Sequence, residues 1–97
     1  HTALAQPDLD QVLPGKFNSF RDYPHLAARL RQAVPPRVAG IALDAILRRE
    51  ALEDRARLEL FAELRGRLES AVSFPPEATD GLSAEQYVRN AVDILFR

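Results

Sequence analysis

The chain has 97 residues, of which 46% are hydrophobic and 28% are charged, and its formal net charge is -1. This length provides one small domain with a single core, and the lack of cysteine excludes disulfides and thiolate metal sites. The near-neutral charge argues against a nucleic-acid-binding domain. No apolar run approaches the roughly 18 residues that span a bilayer, so we expect these residues not to cross a membrane.

Residues 1–20 are predicted to form a linker or a partly extended N-terminal arm, because proline, glycine and asparagine punctuate them without helical periodicity. Leu13 and Phe17 are the side chains of this arm that we expect to dock on the body. Leu9, Val12 and Leu13 could form one short helical turn.

The remaining residues, 21–97, are predicted to form an all-α bundle domain of about four helices. The first helix begins near Asp22, whose carboxylate can accept hydrogen bonds from the free amides of the first turn. It stops near Ala33, because Pro35 disfavours helical geometry in the residue before it.

The second helix begins with Pro36, a favourable first residue for a helix. Its apolar stripe is wide, which predicts a central and heavily buried helix with a neighbouring helix close to Gly40. The stripe comprises Val38, Ile41, Ala42, Leu43, Ala45, Ile46 and Leu47. The apolar stripe of the second helix and that of the third differ in direction around the helix axis by roughly a third of a turn. This difference predicts a break at residues 49–54, with Leu52 packed beneath the corner.

The third helix is predicted to start with Glu53 or Asp54 as its cap, where acidic residues suit the positive helix end, and to run to about Val72. Its buried face comprises Leu58, Phe61, Leu64 and Leu68. The fourth helix opens with a capping box, Ser83 to Gln86. Its inward residues are Tyr87, Val88, Ala91, Val92, Leu95 and Phe96. Turns are expected at Phe74-Pro75-Pro76 and at Asp80-Gly81.

Candidate catalytic groups do not combine into a constellation, so we predict that the protein is not an enzyme and has no cofactor or metal. His25 lies in a first helical turn and fits a surface or cap position. Three carboxylates lie close together at the predicted break, at Glu50, Glu53 and Asp54, and paired carboxylates can do acid-base work when one is desolvated. Arginines flank them, which favours a solvated corner in which the charges neutralise one another.

Two groups of residues are candidates for contact with a partner. Phe17, Phe20 and Tyr23 cluster before the first helix, where they either cap the core, which is the favoured interpretation, or present an apolar patch. Arg48 and Arg49 could contact phosphates or lipid headgroups, although nearby acids favour a solvated face.

A familiar pattern joins the second and third helices: Leu47-Arg48-Arg49, then Leu52, then Ala56-Arg57-Leu58. It resembles the C-terminal cytoplasmic tail of RDD family membrane proteins, in some of which such a helical pair follows the last membrane helix and a helix like Ser83 to Phe96 closes the tail. The arginine and aspartate residues that name the family belong to its membrane portion, so no functional residue is carried over. The resemblance implies a bacterial, cytoplasmic, non-catalytic appendage of an integral membrane protein whose role is poorly defined.

The leading hypothesis is therefore an interaction or regulatory domain that binds a protein partner or itself as a homodimer, without a small-molecule substrate. Membrane association would come only through segments outside this chain. The alternative is a nucleic-acid-binding domain that uses Arg48, Arg49, Arg55 and Arg57, which the charge balance disfavours.

Localisation is expected on the cytoplasmic side of a membrane. An exported protein is the alternative, because Ala3-Leu4-Ala5 resembles an A-x-A cleavage site. An ordinary apolar stretch is the favoured interpretation of this tripeptide, since no positive or apolar region of a signal peptide precedes it.

Overall fold

The computed structural model describes Leu13 and residues 17–97, and within them the fold is all-α, as predicted. Its helices are α1 (Pro24–Ala33), α2 (Pro36–Leu47), α3 (Asp54–Ala71), the short α4 (Pro76–Thr79) and α5 (Ala84–Phe96). Two 3-10 turns accompany them, at Ser19–Asp22 and Arg49–Ala51. The Ala3-Leu4-Ala5 tripeptide and residues Leu9 and Val12 of the possible helical turn lie outside the described residues, and Leu13 lies in a bend.

The C-terminal helix α5 is the centre of the fold, because it packs against α1, α2, α3 and the first 3-10 turn. The side chains that it buries are Tyr87, Val88, Ala91, Val92 and Ile94. The capping box is confirmed: Gln86 N donates to Ser83 Oγ at 3.1 Å, and Ser83 N donates to Gln86 Oε1 at 2.9 Å. The prediction that Phe96 faces inward is wrong, since it is an exposed side chain at the end of the helix.

The prediction of α2 as the central helix is wrong. Its buried face is narrow and rich in alanine, with Ala39, Ala42, Ala45 and the one larger side chain Ile46. The larger Ile41 is 46% exposed, because no further layer of the described chain covers the outer side of α2. The prediction that a neighbouring helix lies close to Gly40 is also wrong, since a Cβ placed there would meet nothing within 4 Å.

The helix boundaries follow the predicted breaks. α1 ends at Ala33, and the corner between α2 and α3 is a 3-10 turn over the predicted break, with Leu52 half-buried after it. Glu53 is the N-cap of α3, but its side chain makes no capping hydrogen bond. Asp22 is not the cap of α1, because it ends the preceding 3-10 turn and leaves Tyr23 at the N-cap position.

The remaining corrections concern α3 and the turns. Leu58 was predicted on the buried face but is 67% exposed, since it lies at the edge of the face that Phe61, Leu64 and Leu68 bury. The turn at Asp80-Gly81 is confirmed, and Gly81 adopts a positive φ of 81°, a conformation that glycine takes without a steric penalty.

An aromatic cluster joins the start of the described chain to the core. Phe20 stacks on Phe74 with ring centroids 4.0 Å apart, and it meets Tyr87 edge-on at 5.0 Å. The Arg65 guanidinium lies 4.8 Å from the centroid of the Tyr87 ring. The packed body therefore begins before residue 21, where the bundle domain was predicted to start.

Candidate functional site

A groove of about 650 Å³ runs along the outer, polar face of α5, and we call it the α5 groove. Its lining from α5 and the chain end is Glu85, Gln86, Arg89, Asn90, Asp93 and Arg97. The segment before α1 contributes Leu13, Phe17, Asn18, Ser19 and Arg21, and the region around α4 contributes Glu77, Ala78, Asp80 and Leu82. One wall of the groove is therefore a face of α5 with charged and amide side chains at helical spacing. Residues of two other segments form the rim.

Asn18 fixes the segment before α1 onto α5. Its Oδ1 accepts from Phe20 N at 2.9 Å, and its Nδ2 donates to Asn90 O at 3.0 Å and to Asp93 Oδ2 at 2.9 Å. The Asn18 side chain is buried, so these bonds satisfy groups that would otherwise be costly to desolvate. The sequence indicated only a turn at Asn18, because its partners lie 72 and 75 residues away.

Asp93 is the charged centre of one half of the groove. Its Oδ2 accepts from Arg21 Nε at 3.1 Å and from Arg21 Nη2 at 2.9 Å. Its Oδ1 lies 3.2 Å from Arg97 Nε, one helical turn further along α5. The spacing of Asp93 and Arg97 was visible in the sequence as an i,i+4 pair, whereas the contact with Arg21 depends on the tertiary fold.

Leu13 lines the end of the groove next to Arg97. Its side chain is only 7% exposed, and its carbonyl accepts a hydrogen bond from Arg97 Nη1 at 3.2 Å. The prediction that Leu13 docks on the body is confirmed. The same prediction for Phe17 is wrong, because this side chain lies on the rim of the groove and is 78% exposed.

Three arginines converge on Glu85 at the other end of the groove. Glu85 lies 2.7 Å from Arg49 Nε, 3.9 Å from Arg57 Nε and 3.6 Å from Arg89 Nε. The contact with Glu85 is the largest cause that raises the pKa of Arg49, and it outweighs the opposing effect of burial, while Glu50 adds to the rise. Arg49 Nε makes no aligned hydrogen bond within the described chain, so its contact with Glu85 is an ion pair.

The corner between α2 and α3 is ion-paired, as predicted. Arg48 lies 3.2 Å from Asp44, and Arg49 lies 3.3 Å from Glu50. Arg57 lies 3.3 Å from Asp54. The carboxylates of this corner are exposed and balanced by arginine, which leaves none of them in a desolvated setting that would favour acid-base chemistry.

The predicted partner-contact residues do not form one surface. Phe17 is on the rim of the α5 groove, and Phe20 is fully buried in the core, where it has no surface to present. Tyr23 is half-buried beside Phe74, with ring centroids 6.5 Å apart. Arg48 and Arg49 lie at the α2–α3 corner, where only Arg49 reaches α5.

Two candidate catalytic side chains lie at a surface position and at a helix cap. His25 is exposed in the first turn of α1, and Ser83 is engaged as a helix cap. Within residues 17–97 and Leu13, no three histidine, cysteine or acidic side chains are grouped as metal ligands. The same residues contain no helix with the length and apolarity needed to cross a bilayer.

No protein-family model, curated protein or solved structure matches this chain. The fold itself therefore defines the class of protein, which is a small all-α domain whose C-terminal helix is buried on one side and lines an open polar groove on the other.

Proposed function

We propose that this chain is a non-catalytic helical interaction or regulatory domain and that the α5 groove is its binding surface. The observation that carries the proposal is an exposed aromatic side chain, Phe17, on the rim of a groove whose polar groups already bind a chain segment through Asn18 and Arg97. Aromatic and arginine side chains are enriched where proteins meet.

The character of the groove favours a protein segment over a small molecule. Small-molecule sites are concave, mostly apolar and bury most of their ligand. The α5 groove is open along one side, and charged or amide side chains supply most of its lining. An extended segment could exchange hydrogen bonds along such a surface while its own side chains remain partly in water.

We further propose that the domain is the cytoplasmic tail of an integral membrane protein, as the resemblance to RDD family tails implies. The support is the pattern of Leu47-Arg48-Arg49, Leu52 and Ala56-Arg57-Leu58, which falls on the end of α2, the corner and the start of α3. The full-length gene product tests this proposal. Membrane helices immediately upstream of His1 are expected, and an export signal there would instead favour the exported alternative.

Self-association through the groove is tested by analytical ultracentrifugation at several protein concentrations. We expect a mass that rises with concentration, and we expect Phe17→Ser to weaken the association about tenfold, as the loss of an interface aromatic does. Leu58→Ser is the matched control, because it removes another exposed large side chain away from the groove. A monomer mass at all concentrations, or a stronger effect of the control, would contradict self-association through the groove.

The nucleic-acid alternative has weaker support. The four arginines proposed for it each lie within 4 Å of a carboxylate: Arg48 of Asp44, Arg49 of Glu85, Arg55 of Glu59 and Arg57 of Asp54. Phosphate contacts would have to compete with these ion pairs. Binding to a random-sequence duplex should decrease steeply with salt if the alternative holds, and a flat absence of binding would end it.

A further inference from the structure

We propose that the exposed side of α1 and the start of α2 bind the phosphate headgroups of an anionic membrane, through a basic surface formed by Arg29, Arg31 and Arg37. None of these residues lines the α5 groove. The inference rests on the part of the proposed function that places the domain at the cytoplasmic face of a membrane, and it names the lipid class. Membrane association was expected only through segments outside this chain, and the basic surface adds a contact made by the chain itself.

The first support is that the unpaired arginines of the described chain lie together in one stretch. Every arginine outside this stretch lies within 4 Å of a carboxylate. Arg29, Arg31 and Arg37 have no carboxylate at that distance within the described residues. The sequence contains no acidic residue between Asp22 and Asp44, so the guanidinium charges of this stretch are not neutralised locally.

The second support is the accessibility of these guanidinium groups. All three arginines are exposed. Arg31 Nε donates to Ile94 O at 3.0 Å and so ties α1 to α5, whereas Arg29 and Arg37 make no side-chain hydrogen bond within the described residues. The exposed residues between them are uncharged and mostly short: Gln32, Ala33, Pro35 and Pro36. The guanidinium groups can therefore reach phosphate oxygens, which the planar fork of arginine binds through two parallel hydrogen bonds.

The third support is the uneven distribution of charge along the chain, which favours a membrane over a nucleic acid. Residues 23–43 contain three arginines and no acidic residue, whereas residues 44–97 contain eleven acidic residues and eight arginines. A bilayer surface is a plane, so it can meet one side of the domain while the acidic surplus elsewhere remains in water. Nucleic-acid affinity comes from many phosphate contacts, which three arginines on a chain of net charge -1 do not supply.

The strength expected of the basic surface suits a domain that is already tethered to the membrane. Each cationic side chain near an anionic surface increases binding about fivefold, so three increase it about a hundredfold. Such an attraction orients a domain whose effective concentration at the membrane is set by its tether. For the free chain it gives weak binding, which is measurable at high lipid concentration and low ionic strength.

Vesicle sedimentation tests the lipid class. The unchanged chain should bind vesicles of equal parts phosphatidylglycerol and phosphatidylcholine, bind pure phosphatidylcholine vesicles much less, and dissociate as added salt shortens the Debye length. We expect Arg29→Gln combined with Arg37→Gln to weaken binding to the anionic vesicles about 30-fold, because two cationic side chains are lost. Neither side chain has a partner within the described residues, so the fold should be kept, and circular dichroism checks this.

Arg48→Gln combined with Arg55→Gln is the matched control. It lowers the net charge equally, at two exposed arginines that are paired with Asp44 and Glu59, and it should keep most of the binding. Equal losses in the two double variants, equal binding to both kinds of vesicle, or no binding to anionic vesicles at low ionic strength would overturn the proposal. Preference for a random-sequence duplex or for polyglutamate would also overturn it, because the partner would then be a nucleic acid or an acidic protein.

The orientation of the bound domain gives a second readout. The chain has no cysteine, so one fluorophore can be attached at Gln32→Cys, beside Arg31 in α1, or at Ala62→Cys, an exposed position of α3. Nitroxide-labelled lipid in anionic vesicles should quench the fluorophore at residue 32 more than the one at residue 62, and the reverse order would contradict docking through the basic surface. If vesicle binding fails but the gene product has membrane helices upstream of His1, the inference fails and the proposed function stands.

Discussion

Asn18 is the buried polar side chain that joins the start of the described chain to the central helix. Its amide bonds to Phe20, Asn90 and Asp93, and it thereby holds Phe20 against the aromatic core. A buried amide fixes the position of this segment relative to α5 more narrowly than an apolar residue would, because each of its hydrogen bonds requires a particular partner at a particular distance.

We expect Asn18→Ala to lower the free energy of unfolding by about 1–3 kcal/mol, because Phe20 N–H would lose its hydrogen-bond acceptor in a buried setting. Urea denaturation measures this change. Asn90→Ala is the control, since the side chain of Asn90 makes no hydrogen bond within the described residues and its removal should change stability by less than about 0.5 kcal/mol. Equal effects of the two substitutions would contradict the role assigned to Asn18.

The Tyr87 side chain combines favourable ring contacts with a costly hydroxyl. The hydroxyl is buried and has no hydrogen-bond partner in the described part of the chain. We expect Tyr87→Phe to leave the free energy of unfolding at pH 7 unchanged or to raise it by up to about 1 kcal/mol, since the ring contacts remain and the unsatisfied group is removed. A clear loss of stability in urea denaturation would mean that the hydroxyl has a partner, such as an ordered water molecule.

Burial raises the pKa of Tyr87 to about 12 from its ordinary value of 10.0, with Glu69 adding to the rise and Arg65 opposing it. The fold therefore favours the neutral phenol. Its stabilising effect is complete below the unfolded pKa of 10.0 and is lost as pH rises towards 12. The urea concentration at the midpoint of unfolding should decrease as pH rises from about 9 to about 11.5. We expect this decrease to be smaller in Tyr87→Phe than in the unchanged chain. Parallel losses in the two proteins would contradict the shift.

At the scale of the element, α2 shows how a helix can be strongly apolar and still lie at the surface. Its alanines give a flat, narrow face that fits against α5, while Ile41 and Leu47 flank that face at the surface. The width of an apolar stripe therefore overestimates burial when no neighbouring element covers one side of the helix. Gly40 lies on the outer side of the same helix, where it contacts no neighbour.

Alanine substitutions at Gly40, in α2, and at Gly81, in the last turn, should change the free energy of unfolding in opposite directions. We expect Gly40→Ala to raise the free energy of unfolding by about 0.5–1 kcal/mol, because it lowers the entropy cost of the helix and the added Cβ has open space. Gly81→Ala should lower it by about 1 kcal/mol or more, because the positive φ disfavours an L side chain. Thermal denaturation measures both, and the same sign for both would contradict these assignments.

At the scale of the whole molecule, α5 links every other main element, so its apolar face is the part of the core on which the fold depends most. Val92 is fully buried on this face. The opposite face lines the α5 groove, so binding at the groove would take place on a helix that the core holds in position.

We expect Val92→Ala to lower the free energy of unfolding by about 2–3 kcal/mol, from the lost burial of two methyl groups and the cavity that remains. Ile41→Ala is the control, because that side chain is nearly half exposed, and it should cost less than about 1 kcal/mol. Guanidinium denaturation tests both substitutions. The slope of the free energy of unfolding against denaturant concentration should be the same as in the unchanged chain. A larger effect at Ile41 would mean that α2, and not α5, is the central helix.

Only part of the candidate site could be predicted from the sequence. Asp93 and Arg97 form a local pair that helical spacing indicates, and Leu13 was recognised as a docking residue. The contacts of Asn18 and Arg21 with α5 were missed, because they join residues more than 70 positions apart and no local pattern encodes such a pairing.

The sequence by itself determined the four longer helices and most of their limits. Proline placed the breaks after Ala33 and before α4, the capping box placed the start of α5, and glycine placed the last turn. These features act within a few residues, so backbone sterics and local hydrogen bonds are sufficient to set them. Only the tertiary structure decided which helix is central and which apolar side chains stay exposed, because burial depends on what packs against a face and not on the face alone.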